Sequence, residues 1–436
     1  MEYLTVRNAQ QLILDAVSMP ATDQKRVENV SIEHALGRVL AEDVRANRDI
    51  PPYDVSAMDG YAVRSADLAN IPATLKVIED IRAGDMPDKI VQASQCARIM
   101  TGAPVPDGAD AVIRVEETAE LTENRVQINC SVKPANDIRA RGESMLTGEV
   151  ALAAGTEITP GVIGILATVK CAQVQVYRQP RVAILSTGDE LEDIDDPIDP
   201  NKIPNANSYA LMAQVQALGI KPALLGIARD DPVELEEYLQ RGLKFDVLLV
   251  SGGTSVGVHD YVRPTIETLG VQMKFWRVAM KPGHPMAFGV LQRNKDTQGR
   301  EHRIKQQNAS SNAFVFGLPG NPVSSMVCFE QFVAPALRGM MGCTRLNRRT
   351  ITARLTGNVK HRAGRAEFIR VTLSKDEECY QATPTGAQGS GMLLSMAKAD
   401  GLMVVPSNSD GLAAGEQVAV QLLDGTAFQN DVGFQE

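Results

Sequence analysis

The sequence predicts a multidomain α/β plus β protein: β-rich front domains, a central domain on a parallel sheet, and a small C-terminal β-barrel domain. Three observations carry this. From Pro180 to about residue 340, apolar stretches of strand length (RVAILS, KPALLGIA, DVLLVS, AFVFGLP) alternate with amphipathic helical ones (NSYALMAQVQALG, DPVELEEYLQRGL, DYVRPTIETLG). Strands separated by helices pair in parallel under a cover of helices. Before that block, residues 72–178 hold short β-prone stretches broken by Gly, Pro, Asn and Asp (TLKVIEDI, CARIM, AVIRVEE, RVQINC, VQVYR). Beyond residue 343, short strands return (TITARLTG, FIRVTLS, GLMVVP, QVAVQLL), as in a small barrel or sandwich.

The elements follow in order. Leu12, Ile13, Ala16 and Val17 fall at helical spacing, and SIEHALGRVLAEDV repeats an apolar helical set, so the first segment reads as helix. NRDIPPYDVSAMDGYAV is too dense in Pro, Asp, Ser and Gly for a long regular element. TPGVIGILATVKC reads as strand or helix, and the choice stays open. The expected division is a helical and β connecting domain at 1–45 with 147–178, and a β-rich domain at 46–146. An α/β domain at 179–340 and a C-terminal β domain at 341–436 complete it. QRNKDTQGREHRIKQQNASSN is polar and long for a loop; it reads as a surface insertion, dispensable from about Arg293 to Asn312.

Charge narrows the function. With 44 Lys and Arg against 53 Asp and Glu, the net charge is −9, which argues against a broad basic face for nucleic acid. One local anion pocket remains compatible with it. There is no basic-then-apolar leader and no apolar run of roughly 20 residues, so the expected location is cytoplasmic, without membrane. The six cysteines and five histidines are scattered: reduced thiols are expected, no zinc site is offered, and any metal would take oxygen ligands.

Ligands of an open parallel sheet sit at the carboxyl ends of its strands. Three strand ends here are unusual: Ser186-Thr187-Gly188-Asp189-Glu190, Ser251-Gly252-Gly253-Thr254-Ser255-Val256-Gly257 before Asp260-Tyr261, and Gly317-Leu318-Pro319-Gly320-Asn321-Pro322-Val323-Ser324. Glycines admit close backbone approach and hydroxyls add donors, so together they suit a phosphate. No G-K-[ST] is present, which argues against a Walker-type NTPase. The nearby Asp189, Glu190, Asp230, Asp231 and Asp260 would repel phosphate unless a hard cation such as Mg²⁺ lay between. Asp230 and Asp231 equally suit capping of the helix that starts near Pro232. Lys281-Pro282-Gly283-His284-Pro285 forms a rigid turn, making Lys281 a candidate oxyanion ligand and His284 either a second donor or a cover for the turn. The segments containing Asp59 (DVSAMDGYA) and Thr101 (TGAPVPDGAD) look built to press against a ligand or another surface; plain turn chemistry fits the second as well.

Taken together, Ser56-Ala57-Met58-Asp59-Gly60-Tyr61-Ala62, Thr101-Gly102-Ala103-Pro104, the three strand-end motifs and Lys281-Pro282-Gly283 resemble the molybdopterin molybdenumtransferase family, the MoeA proteins and the E domain of gephyrin. The resemblance runs over essentially the whole chain in family order. It implies a homodimer whose central domain binds molybdopterin, with adenylylated molybdopterin and molybdate as substrates and Mg²⁺-dependent release of AMP. It would place the pterin nucleotide along Ser251, Gly252, Gly253, Thr254, Ser255, Gly257, Pro319, Gly320, Asn321 and Pro322. It would place Mg²⁺ near Glu190, Asp230 and Asp260, and molybdate against Lys281, His284, Ser324, Arg365 and Ser390. Asp59 and Thr101 would come from the partner subunit, joining Glu190, Asp260 and Lys281 as catalytic residues. A molybdopterin-adenylylating enzyme and molybdoenzyme maturation factors would be further partners. Two alternatives are nucleotidyl transfer like that of the adenylylating enzymes, and a non-catalytic scaffold. Some relatives carry a second lysine where this chain has His284, and the insertion after Gln292 departs from the shorter family connection.

Overall fold

In the computed structural model, helix α1 (Val6–Val17) forms where the apolar spacing places one, and Ala9, Ile13 and Val17 are its buried stripe. The structure describes residues 3–17, 27–121, 124–253, 261–293, 312–376 and 379–423. The helix expected in SIEHALGRVLAEDV is absent. One 3₁₀ turn (Ile32–His34) is capped by the Ser31 hydroxyl, and Gly37 then adopts φ +74°, which a continuing helix cannot contain. The chain divides into two units, one of residues 30–36 and 42–174, the other of residues 1–29, 37–41 and 175–436.

The first unit carries β1 (Gly60–Val63), β2 (Ala73–Ile81), β3 (Gln95–Ile99), β4 (Ala111–Arg114), β5 (Thr118–Leu121) and β6 (Arg125–Ile128). They form one sheet in the order β4-β1-β3-β2-β6-β5, antiparallel except between β2 and β3. Tyr61 and Val63 pack on one face and Ala62 on the other, the period of two that a pleat imposes. The ambiguous TPGVIGILATVKC is helical: α2 (Pro160–Thr168) has Thr159 as N-cap and Pro160 in its first turn.

After α1, the second unit holds β7 (Val182–Thr187), α3 (Ala206–Gln216), β8 (Ala223–Ala228), α4 (Pro232–Gly242), β9 (Val247–Ser251) and α5 (Val262–Thr268). It continues with β10 (Gln272–Phe275), β11 (Met280–Lys281), β12 (Ala287–Gln292), β13 (Asn312–Leu318), α6 (Pro322–Cys328) and α7 (Ala334–Met340). A single π turn over Phe329–Val333 joins the last two helices. The sheet order is β8-β7-β9-β13-β12-β10. The first four strands are parallel, as the alternation of strands and helices requires. β12 runs antiparallel to β13, and β10 antiparallel to β12, so the sheet is mixed at this edge. The cause is local: β12 and β13, on either side of residues 294–311, pair antiparallel from Gln292 with Asn312 to Ala287 with Gly317.

Both faces of the sheet are covered. Val182, Ile184, Leu249, Phe314 and Phe316 pack with α1, α3, α6 and α7, while Ala183, Leu185, Leu248, Val250 and Val315 pack with α4 and α5. Phe288, Phe314 and Phe316 are fully buried, and each such side chain contributes about 1.5–3 kcal/mol of transfer energy.

The remaining strands are β14 (Thr350–Leu355), β15 (Val359–Lys360), β16 (Ala366–Lys375), β17 (Tyr380–Pro384), β18 (Gly401–Val405), β19 (Gly411–Leu412) and β20 (Gln417–Leu422). β16, β17, β14, β20 and β18 pair in that order, and β18 returns to β16, closing a five-stranded barrel. β11 adds to it in parallel, pairing Met280 with Ala366 and Lys281 with Glu367. That register carries the Lys281 turn onto the barrel. Among the described residues, no helix is long and apolar enough to cross a membrane, and all six cysteines are free.

Candidate active site

At the carboxyl ends of β7, β9 and β13 the backbone is held very close. Gly252 has φ +99°, and a Cβ there would fall 2.5 Å from the Thr187 carbonyl oxygen, so no other residue fits. The Gly252 N–H donates to the Leu318 carbonyl at 3.1 Å, tying the β9 loop to the end of β13. Asn207, in the first turn of α3, adds a latch: its Nδ2 donates to Ser251 Oγ at 2.8 Å and to the Gly320 carbonyl at 2.7 Å. Three atoms here are buried without a hydrogen-bond partner among the described residues: Thr187 Oγ1, Asn207 Oδ1 and Ser325 Oγ. Buried polar groups are normally paired, so this set is what a polar ligand would satisfy. Beside them the side chains of Ser186, Asn205 and Ser208 bond one another, a structural cluster. Pro319 to Pro322 lead into α6. Thr254, Ser255, Gly257 and Asp260 lie outside the described residues.

Carboxylates gather beyond the ends of β7 and β8. Asp189 Oδ1 accepts the Asp230 N–H at 3.2 Å, and the Asp189 carbonyl accepts from Lys202 and Arg229. Glu190 folds back over Gly188, where a Cβ would lie 2.5 Å from its carboxylate. Asp231 caps α4 by accepting from Val233 and Glu234, which settles its half of the earlier ambiguity; Asp230 is not the cap. The donors available to a cation here are all hard oxygens, a set that fits Mg²⁺ rather than a soft metal. Among the described residues there is no group of three or more His, Cys, Asp or Glu able to hold an ion by themselves. Such a site would depend on water, phosphate oxygens or Asp260.

A second locus lies where β11 joins the barrel. Lys281, Lys360, His361, Arg362, Arg365 and Glu367 line a cavity of about 370 Å³. Four cations thus surround one carboxylate in a chain of net charge −9. Lys281 Nζ lies 2.7 Å from Glu367 Oε1, and His361 Nδ1 lies 2.8 Å from Glu367 Oε2. Three residues further along β16, Arg370 is fully buried and grips Ser395 Oγ and the Gly389 carbonyl. Burial pulls its guanidinium below the ordinary value while Glu367 pushes it back up.

The predicted oxyanion residues therefore divide. Lys281 and Arg365 share this cavity. Ser390 meets the start of α6 instead, its carbonyl accepting the Val323 N–H at 3.1 Å beside the buried Ser324. His284 does not line the cavity: its Nδ1 lies 3.3 Å from the Val278 carbonyl and its ring packs edge-on against Tyr3. In the other unit, Asp59 and Thr101 do meet. Asp59 Oδ1 accepts the Thr101 N–H at 2.7 Å and its hydroxyl at 2.8 Å, and these bonds, the backbone one foremost, hold the carboxyl below its usual range.

Sequence reasoning missed Asn207, Lys360, His361, Arg362 and Glu367. A signal existed for four of them, because Lys360-His361-Arg362-Ala363-Gly364-Arg365 is a basic run in an acidic chain, two residues from Glu367. Asn207 left none, because its role appears only when three strand ends meet.

Comparison with known proteins places these features in a family. The MoeA N-terminal region (domain I and II) matches residues 4–169, a probable molybdopterin binding domain 183–339, and the MoeA C-terminal region (domain IV) 352–423. The chain is 35% identical to a molybdopterin molybdenumtransferase of Nostoc sp., over 95% of this chain and 93% of that one. It is 32% identical to one of Staphylococcus aureus, over 97% and 96%. The solved structure of a molybdopterin biosynthesis moeA protein from Pyrococcus horikoshii superposes with a TM-score of 0.79 at 28% identity, covering 97% of this chain and all of that one.

Proposed function

Since the chain belongs to the MoeA family of molybdopterin molybdenumtransferases, enzymes of molybdenum cofactor biosynthesis, we propose that it inserts molybdenum from molybdate into adenylylated molybdopterin and releases AMP. In this reading molybdenum–sulfur bonds form to the dithiolene, oxygen leaves molybdate as water, and the phosphoanhydride to AMP is hydrolysed. The observation that carries it is the cavity of four cations around Glu367, a strictly local concentration of positive charge in an acidic protein. Molybdate is a hard tetrahedral dianion, and the ammonium of Lys281 and the forked guanidinium of Arg365 suit it.

The strand-end loops take the other substrate. Gly252 and Gly253 let the backbone approach phosphate oxygens, and Asn207 holds the two loops in register while leaving Oδ1 for an N–H or O–H of the pterin nucleotide. Glu190 and Asp230, with Asp260, would hold Mg²⁺, which when bound supplies positive charge to the phosphate oxygens. Asp59, kept ionised by Thr101, would serve a second copy of the chain in a homodimer; that assignment rests on the family resemblance. Mixed dimers of inactive Asp59→Ala and inactive Glu190→Ala chains should then regain activity, and mixed dimers as inactive as their parents would remove it. The upstream partner must be an enzyme that adenylylates molybdopterin.

The direct test incubates the purified chain with adenylylated molybdopterin and molybdate. Molybdate-dependent AMP release, with cofactor that activates an apo-molybdoenzyme, is expected. Consumption of ATP without any molybdate requirement would instead make it an adenylylating enzyme.

A further inference from the structure

Glu367 is an anion inside a cavity suited to binding one. Its two oxygens are divided, Oε1 to Lys281 and Oε2 to His361, and the Glu367 and His361 side chains are only 6% and 3% exposed. A carboxylate can only accept, so the proton of the second bond sits on His361 Nδ1. That leaves His361 Nε2 buried with no partner among the described residues. His361 lies between the cationic cavity and a neighbouring depression of about 610 Å³, both of which Lys360 also lines. Among the described residues, the strand-end loops hold no such combination of a divided carboxylate and an orphaned ring nitrogen.

We propose that Glu367 and His361 are positioning residues that couple oxyanion binding to the uptake of one proton by the pair. The proposal rests on the oxyanion reading of the cavity. Glu367 stations Lys281 at the cavity and fixes the orientation of the His361 ring. The charged groups facing the pair are Lys281 from β11, Lys360 from β15, Arg362 and Arg365 from the connecting loop, and Arg370 from β16, with Asp410 and Glu416 in the depression beyond. Four cations in one cavity oppose a further positive charge there. A dianion beside Lys281 and Arg365 cancels that opposition and repels the Glu367 charge, and both changes favour a proton on the pair. The proton belongs to the pair because two groups in such contact titrate as one system. Binding with proton uptake is strongest at low pH and weakens as pH rises.

The test is titration calorimetry of molybdate into the full chain, in buffers of different ionisation enthalpy across the neutral range, with sulfate as a second dianion. About one proton taken up per anion is expected, and Kd should rise about tenfold per pH unit once the free pair has lost its proton. Glu367→Gln and His361→Gln should each bind with uptake near zero and a Kd almost independent of pH. Wild-type binding without uptake overturns the coupling and leaves the oxyanion site standing; uptake that persists in both variants also overturns it. Failure of the wild-type chain to bind either dianion overturns the site itself. Should one variant fail to fold by circular dichroism, the wild-type proton count and the other variant still decide.

Discussion

At the carboxyl ends of β7, β9 and β13 the unsatisfied polar atoms are neutral: a threonine hydroxyl, a serine hydroxyl and an asparagine oxygen. In the cavity at the barrel edge the groups are charged, and the central carboxylate is already engaged on both sides. The first region is shaped by backbone, with glycines removing every Cβ that would intrude. The second is shaped by charge, with side chains from β11, β15, β16 and one loop converging on Glu367. A backbone site recognises shape and donor pattern and tolerates salt, whereas a charge site selects by valence and is sensitive to pH and ionic strength. Under the proposed function, one protein would separate recognition of a large nucleotide from capture of a small dianion.

The largest effect should come from Glu190→Ala. Removing a carboxylate proposed to hold Mg²⁺ should cut AMP release at least a hundredfold at limiting Mg²⁺, while molybdate affinity stays unchanged; near-normal turnover would displace the metal from this loop.

Next in size is a change at the far end of β9, away from both sites. Asp246 is buried and faces Arg178, Arg181 and Arg293 at 3.4, 3.2 and 3.9 Å. Burial pushes its carboxyl up, but the hydrogen bonds from Arg181 and the nearby guanidiniums outweigh that and hold it below the usual carboxylate range. The stabilisation is therefore fully present above about pH 3.9, the unfolded value, and is lost as pH falls through the lower folded value. Asp246→Asn should cost about 3–5 kcal/mol at neutral pH, read by chemical denaturation, with both substrate affinities intact. A change below about 1 kcal/mol would mean that the arginines find other partners.

Asn207→Ala should act on one region only. Two hydrogen bonds joining the β9 and β13 loops are lost, so AMP affinity should fall about tenfold while molybdate affinity holds. Equal loss of both would make the latch a general support of the fold.

The smallest effect is expected from the insertion. The boundary read from sequence began at Arg293, but Arg293 donates to the Leu243 and Phe245 carbonyls and faces Asp246, so excision should start after it. Gln292 and Asn312 are strand partners, and a short Gly-Ser linker from Arg293 to Asn312 can close the hairpin. Melting temperature and turnover should not change; loss of either would show that the segment contributes to the body or the cleft.

These regions were unequally legible. The strand-end loops could be read because Gly, Pro and Ser announce themselves within a few residues, and the apolar runs before them fix where the strands stop. The charge site was half legible. Lys281 and Arg365 stood out, but their meeting depends on β11 pairing with β16 across some eighty residues of chain, which no local pattern records. Glu367 was hidden because an acid two residues from a candidate anion ligand argues against the site until its partners are seen. His284 failed to join for the complementary reason: sequence proximity to Lys281 set an expectation that the turn, aiming its ring at Val278 and Tyr3, does not meet.

The division of labour between the two regions is tested most directly by equilibrium binding of molybdate and of AMP to Arg365→Ala. Losing a guanidinium able to donate two charge-assisted hydrogen bonds to an oxyanion should raise the molybdate Kd at least about tenfold, while the AMP Kd remains that of the wild-type chain. Unchanged molybdate binding, or equal weakening of both ligands, would contradict the placement of the oxyanion in the barrel-edge cavity.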